Sequence, residues 1–564
     1  MAIGRHDAAE APRRVDRRLP PEELFERSVR LVRDTVDGAE ADGAVVALSG
    51  GVDSATTAAL AVEALGAGNV FALLMPTADT PEGDTVDARE WARTLGIDHA
   101  TVALDPAMEV FKRHVAPRIA PAGDEYAAGN LAARLRMACA YFVANTTDRL
   151  VVGTANRTER MLGYFTKYGD GGVDLLPLGE YDKGEVRSLA AHLGVPERIR
   201  AKPPSAGFWR GQTDEADLGA TYPTLDRVVA ALVDDAGGRV TAATTERLGT
   251  DAGTVAEQAA RLARTGHKRE RPPTPPRPLP GADDPVALAT AGDRLATAHD
   301  DVTRFVGDYV DGAGAEGVVV PLSGGLDSSV AAALAVEALG PDRVYAVHLP
   351  CHKAVDIDTP DPESVAADLG IEFDRVNVRP LVTELESQLP HEITKRAGVR
   401  ELANLVARVR MASAYYVANT ATDLVVGTTD RSDLLLGDVT KYGDGAGDLL
   451  PLGGLYRSEV AALGRRLGLA DGVVDQPATV EFAAGRLAET EHGASYDTID
   501  RVLDRLVDRD IGIARTAAEL ELEPALVRRF AGAHVDSKHK RSLPPTTEEA
   551  AGPGPFHELE LKFE

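Results

Sequence analysis

Short β-branched apolar runs alternate along this chain with longer segments whose apolar residues recur at helical spacing. Ala44-Val-Val-Ala-Leu48 is the first such run and predicts a strand buried on both faces. Ser49-Gly50-Gly51 breaks it, and Ser54–Leu65 predicts a largely apolar helix. Val70–Met75 predicts a second strand, Thr85–Leu95 a helix, and Ala100–Leu104 a third strand. A long helix over Leu131–Asn145 leads to a fourth strand at Leu150–Gly153. Further on, Val318–Leu322, Val344–Leu349 and Leu424–Gly427 predict strands in the same order. Strands alternating with helices imply an α/β fold with doubly wound parallel sheets, whose site lies at the carboxyl ends of the strands.

The second series is a copy of the first. Leu48-Ser-Gly-Gly-Val-Asp-Ser54 returns as Leu322-Ser-Gly-Gly-Leu-Asp-Ser328, a shift of 274 positions. The same shift carries Gly153-Thr154 onto Gly427-Thr428, and Tyr222 with Asp226 onto Tyr496 with Asp500. Of the 26 positions in Gly153–Leu178, 16 are identical in Gly427–Leu452, which excludes a chance local match. Two domains of about 250 residues each fit the usual domain size. They are placed at residues 20–271 and 284–545, with an extended Pro-rich linker at 272–283 and an acidic tail at 546–564. The first twenty residues and the tail are expected to be disordered or loosely attached.

Composition narrows the partners. A formal charge of −27 argues against a nucleic-acid ligand, which needs a basic stripe. The chain holds 11 Lys against 50 Arg, an acidic and lysine-poor balance of the kind found in high-salt cytoplasm. With lysine so scarce, its recurrence inside the repeated segments marks places where a point charge is needed. Cys139 and Cys351 sit at non-equivalent positions of the repeat and form no metal or disulfide pattern. No run reaches the roughly 18 apolar residues of a spanning helix. The expectation is a cytoplasmic protein with no membrane partner.

The Ser-Gly-Gly-x-Asp-Ser words follow a buried strand and open a helix. There free backbone N–H groups and the helix dipole can hold an anion. Read alone, the motif is also a tight turn with a cap; twice at the same place it points to a phosphate site. It resembles the loop of the pyrophosphate-loop ATPases, which cleave ATP between the α and β phosphates. More specific are Gly153-Thr-Ala-Asn-Arg-Thr-Glu159, Gly163-Tyr-Phe-Thr-Lys-Tyr-Gly-Asp-Gly-Gly-Val-Asp174, Lys202-Pro-Pro-Ser-Ala206, Gln212-Thr-Asp-Glu215 and His267-Lys268-Arg269. Together they resemble the ammonia-dependent NAD synthetases over most of each half.

That resemblance implies ATP-dependent amidation of deamido-NAD through an acyl adenylate, with ammonia as nitrogen donor and AMP and pyrophosphate released. It implies that Ser49, Gly50, Gly51 and Ser54 cradle pyrophosphate, and that Asp53 and Glu159 hold Mg²⁺. Thr154, Lys183 and Ser205 match ATP contacts, Lys183 as a mobile charge on phosphate. Arg134, Lys167, Asp174, His267 and Lys268 match deamido-NAD contacts. Asp170, in the Gly-rich loop, is the candidate for orienting or deprotonating ammonium. No glutaminase domain fits in the length, so the ammonia is expected to be free or supplied by a separate protein.

The second-half counterparts are Ser323, Gly324, Gly325, Asp327, Ser328, Arg408, Thr428, Asp433, Lys441, Asp444, Asp448, Arg457, Thr479, His539 and Lys540. Several depart from the pattern. Asp433 stands for Glu159, Arg457 for Lys183 and Gln476 for Lys202; the segment Ser205–Glu215, a lid in the family, becomes Thr479–Glu489. Half two therefore reads as weakened. Because the family's deamido-NAD sites lie at a homodimer interface, the tandem copy implies a monomer acting as an intramolecular pseudo-dimer. Two alternatives stay open: another adenylating amidase of the same superfamily, or a nucleotide-binding regulator with a degenerate second half.

Overall fold

A computed structural model describes residues 19–120, 122, 124–235, 245–246, 248–277, 288–351, 361–477 and 488–548. The first 18 residues, most of the tail, part of the linker and the lid counterpart containing Thr479 lie outside them.

Each half contains a four-stranded parallel sheet. In half one, β1 (Gly43–Ala47), β2 (Val70–Leu74), β3 (Asp98–Thr101) and β4 (Arg149–Val152) lie in the order β3-β2-β1-β4. The register pairs Val45 with Phe71 on one side and with Val151 on the other. In half two, β5 (Val318–Pro321), β6 (Val344–His348), β7 (Glu372–Arg375) and β8 (Leu424–Val425) repeat it as β7-β6-β5-β8. Chain order reverses direction beside β1 and beside β5. Each glycine loop thus leaves its sheet at the switch point, where α/β sheets bind ligands.

The strands fall where the apolar runs predict, with one instructive displacement. The third strand was expected at Ala100–Leu104 but spans Asp98–Thr101. It is an edge strand with half its residues exposed, so its own apolar content is low. Val102 and Leu104, which suggested the later boundary, are buried in the connection beyond it, with their N–H groups on the carbonyls of Leu74 and Pro76.

The halves form one body. The long helices Glu125–Thr146 and Val399–Ala421 lie against each other, and one apolar cluster runs through both, from Leu131, Leu135 and Phe142 to Leu405, Val409 and Tyr416. Each such side chain withdrawn from water contributes about 1.5–3 kcal/mol. Around this seam the contacts are reciprocal, as an isologous dimer requires. Lys167 Nζ pairs with Asp448 at 2.8 Å, and Lys441 Nζ with Asp174 at 2.7 Å. Arg134 lies over the Tyr415 ring and Arg408 over Tyr141, both at 4.4 Å. Tyr168 and Tyr442 hold left-handed φ values of 58° and 59°, a cost of about 1–2 kcal/mol each. Their hydroxyls donate across the seam to Gly447 O and Val173 O, which fixes the two loops against each other.

The chain ends of the two halves are exchanged as well. Leu450 N donates to Pro273 O just beyond half one, and Leu176 N donates to Pro545 O at the end of half two. The described part of the linker, residues 272–277, is therefore docked on half two. Its Arg277 packs its largely covered side chain on half two, paired with Glu459 at 3.0 Å and Asp508 at 2.8 Å and stacked on the Tyr456 ring. The first tail residues are docked too, with Thr546 bridged to Leu176.

Candidate active site

The glycine loop of half one is tied into a cradle by its two serines. Ser54 Oγ accepts from Ser49 N at 3.1 Å and lies 3.0 Å from Ser49 Oγ, which in turn accepts from Gly51 N. Gly50 takes φ +85°, and a Cβ there would sit 2.2 Å from the Asp84 carbonyl oxygen, so only glycine fits. Gly51 caps the helix Val52–Leu65 with no side-chain hydrogen bond. Its first-turn N–H groups are therefore open to an anion. The loop of half two repeats every one of these bonds, with Ser323 and Ser328 in place of Ser49 and Ser54.

Behind this cradle three charged groups converge. Asp53 stands in the first turn of its helix, and Lys183 opens the helix Lys183–His192. Lys183 Nζ reaches Asp53 Oδ2 at 2.6 Å and Glu159 Oε1 at 3.0 Å. Glu159 is placed by a capping box: Asn156 caps the short helix Arg157–Met161, and Glu159 returns its carboxylate to the Asn156 N–H. Burial raises the Glu159 pKa above the ordinary range, and the Asp53 and Asp214 carboxylates add to that against the pull of Lys183. Burial alone would lower the Lys183 pKa; Asp53 and Glu159 outweigh it and hold the ammonium firmly charged. Lys183 is thus the buried counter-ion of the two carboxylates. The donor set of two carboxylates beside a phosphate cradle fits a hard divalent cation.

Some participants were given no role by the sequence. Asn156 Nδ2 donates to Asp53 Oδ1 at 3.0 Å. The Tyr222 hydroxyl lies 3.1 Å from Glu159 Oε1 and 2.8 Å from Asp214 Oδ2. Lys202 Nζ donates to Gly50 O at 3.1 Å while paired with Asp84 and Asp87, so it buttresses the loop. The Asn-x-x-Glu spacing of the capping box could have revealed Asn156; nothing in the sequence announces the wiring of Asp214.

Other predicted residues lie further out. Thr154 is half-buried at the end of β4; Ser205 is exposed and accepts from Gly207 N. Trp209 lies edge-on to Tyr126 of the long helix at 4.8 Å. Asp170 Oδ1 accepts from Thr166 N at 2.7 Å, and Asp444 accepts from Thr440 N at the same distance, so each pins its own Gly-rich loop. Arg134, Lys167 and Asp174 each bond across the seam, to Asn419, Asp448 and Lys441 respectively. Lys268 donates to Gly163 O and Phe165 O, and Lys540 to Gly437 O and Val439 O. His267 and His539 stand in the fields of Lys167–Asp448 and Lys441–Asp174 respectively.

A cavity of about 330 Å³ opens at the seam. Both halves line it, and its cations include Lys167, Lys268, Lys441 and Lys540. In a chain of net charge −27, that concentration of positive charge suits a polyanion. Ala155 and Arg160, which flank the capping box in sequence, are also in its wall.

In half two, Arg457 Nη1 pairs with Asp327 Oδ2 at 2.8 Å, and the Tyr496 hydroxyl lies 3.2 Å from Asp433 Oδ1. Asp430 occupies the place of Asn156 and caps the helix Arg431–Leu436. Thr428 is half-buried like Thr154.

Fold and site together define a tandem pair of phosphate-loop α/β domains joined face to face. A profile of the NAD synthase family matches residues 24–272 and again residues 298–544, and the chain belongs to that family. The NH(3)-dependent NAD(+) synthetase of Methanococcoides burtonii is 49% identical over 201 residues, covering 36% of this chain and 76% of its own. That of Methanosarcina acetivorans is 43% identical over 259 residues, covering 45% of this chain and 98% of its own. That of Halobacterium salinarum is 44% identical over 264 residues, covering 46% and 97%. Each relative is thus matched by roughly one half of this chain.

Proposed function

We propose that the chain converts deamido-NAD to NAD with ATP and ammonia, releasing AMP and pyrophosphate, with half one as the principal site. The observation that supports this most directly is the convergence of Asp53, Glu159 and Lys183 on an uncapped helix N-terminus at the sheet's switch point. Asp53 and Glu159 would hold Mg²⁺, whose charge would offset that of the phosphates. When nucleotide enters, Lys183 Nζ turns from the carboxylates to a phosphate oxygen. Ser49, Ser54 and the open N–H groups of the first turn receive the β and γ phosphates.

The carboxylate oxygen of deamido-NAD attacks the α-phosphorus, the bond to the bridging oxygen breaks, and pyrophosphate departs onto the cradle. Ammonia then attacks the acyl carbon, AMP leaves, and Asp170 takes the surplus proton. Lys167, His267 and Lys268 are proposed to face the dinucleotide in the seam cavity, while Arg134 and Asp174 hold the wall behind them. Placing the dinucleotide between the halves keeps water from the mixed anhydride.

The test is the purified chain with ATP, Mg²⁺, deamido-NAD and ammonium, following NAD and AMP. Equimolar NAD and AMP, with glutamine inactive once ammonia is removed, is the expected result. NAD formation without AMP, or equal rates with glutamine, would refute the reading.

A further inference from the structure

The two phosphate-loop sites differ in how they satisfy their own carboxylates. In half one, Asp53 Oδ1 accepts from the Asn156 amide and Oδ2 from Lys183, while Glu159 Oε1 accepts from Lys183 and Oε2 from Asn156 N. The protein itself supplies a donor to each of those oxygens. Half two has Asp430 where half one has Asn156, so an amide donor has become a third carboxylate.

The consequences are visible at single atoms. Asp430 is fully buried. Its Oδ1 caps Asp433 N, but its Oδ2 accepts no hydrogen bond, and neither does Asp327 Oδ1. Among the described residues the cation paired with them is Arg457, whose Nη1 bonds Asp327 Oδ2 and stands 3.7 Å from Asp430 Oδ2. Asp327, Asp430 and Asp433 each offer an oxygen, all within 4.8 Å of one another. Among the described residues three ionised carboxylates facing one guanidinium would carry an excess of two negative charges around the fully buried Asp430, a costly arrangement unless a cation or a proton offsets it. Oxygen-only ligands at this spacing suit a hard divalent ion.

We infer that half two holds a divalent cation on Asp327, Asp430 and Asp433 in the absence of any nucleotide, whereas half one needs ATP to retain one. The substitution that separates the halves is Asn156 against Asp430. Such an ion makes half two a permanently charged-balanced wall for the seam. It is an affinity independent of whether half two turns over.

The test uses the full chain, stripped of metal and nucleotide, titrated with Mn²⁺ while free Mn²⁺ is read by electron paramagnetic resonance. Molar monovalent salt suppresses diffuse binding to the acidic surface. The expected result is one Mn²⁺ per chain, weakened at least tenfold by Asp430→Asn and unchanged by Asp53→Asn. Asn is itself a good helix cap, so Asp430→Asn keeps the fold, and circular dichroism checks this. The reverse change, Asn156→Asp, is expected to raise the count to two. No saturable binding in the wild type would mean a protonated Asp430 instead and would overturn the inference. So would loss of the bound ion in Asp53→Asn, or a count that stays at one in Asn156→Asp.

Discussion

At the scale of single residues, the site combines groups that announce themselves with groups that do not. Asp53, Glu159 and Lys183 were legible because each is charged and stands in a repeated word. Asn156 and Asp214 were not, since an amide cap and a lone acid look the same wherever they serve. Removing Asp53 takes away one of the two carboxylates proposed to meet the metal, so Asp53→Ala is expected to lower synthetase turnover by about a hundredfold or more. Glu159→Gln tests the same role while keeping the capping box; wild-type-like turnover in both, measured at saturating Mg²⁺, would remove half one as principal site. Lys268 carries a pH signature. Burial lowers its pKa to about 8, with Arg134, Arg261 and Lys167 adding to the shift and Asp170 opposing it. Below that pH the lysine is charged and favours an anion in the cavity; above it the charge is lost. The KM for deamido-NAD should therefore rise as pH passes upward through about 8, and Lys268→Met should start high and lose that dependence. A KM flat across this range in the wild type would place Lys268 outside the binding set.

At the scale of elements, patterning located strands well where both faces are buried and poorly where they are not. β1 and β5 are short, valine-rich apolar runs between two neighbours, so pattern and burial agree. β3 is an edge strand, and its boundary was drawn to the buried Val102 and Leu104 instead of to the residues that pair. The linker adds a feature that its composition does not show. Its prolines do favour extension, but extended chain also docks, and Arg277 supplies the anchor among Glu459, Asp508 and the Tyr456 ring. Both carboxylates are nearly inaccessible, so removing the arginine leaves buried charge with less compensation. Arg277→Met is expected to cost about 3 kcal/mol in a denaturant titration. A loss under about 1 kcal/mol would show that the linker is held by its backbone contacts alone.

For the whole molecule, duplication was readable from the sequence, but the way the copies use each other was not. Lys167 and Asp174 resemble residues that serve one ligand; in the fold each pairs across the seam, Lys167 with Asp448 and Asp174 with Lys441. These crossed pairs, the shared apolar cluster and the exchanged chain ends mean that neither half presents a finished surface alone. Half one nonetheless keeps Glu159, Lys183, Asn156 and Lys202, where half two has Asp433, Arg457, Asp430 and Gln476. Asp327→Ala is therefore expected to cost much less activity than Asp53→Ala, under about threefold against the hundredfold expected above. Removing half two altogether should abolish activity, because the seam cavity loses one wall and the cluster around Leu131 and Phe142 meets water, at about 25 cal/mol for each Å² exposed. Steady-state kinetics of the two point variants and the truncation, with circular dichroism on each, separate the possibilities. Equal losses from Asp53→Ala and Asp327→Ala would mean two working sites. A folded and fully active residue 19–277 fragment would mean that the seam is not needed for the chemistry.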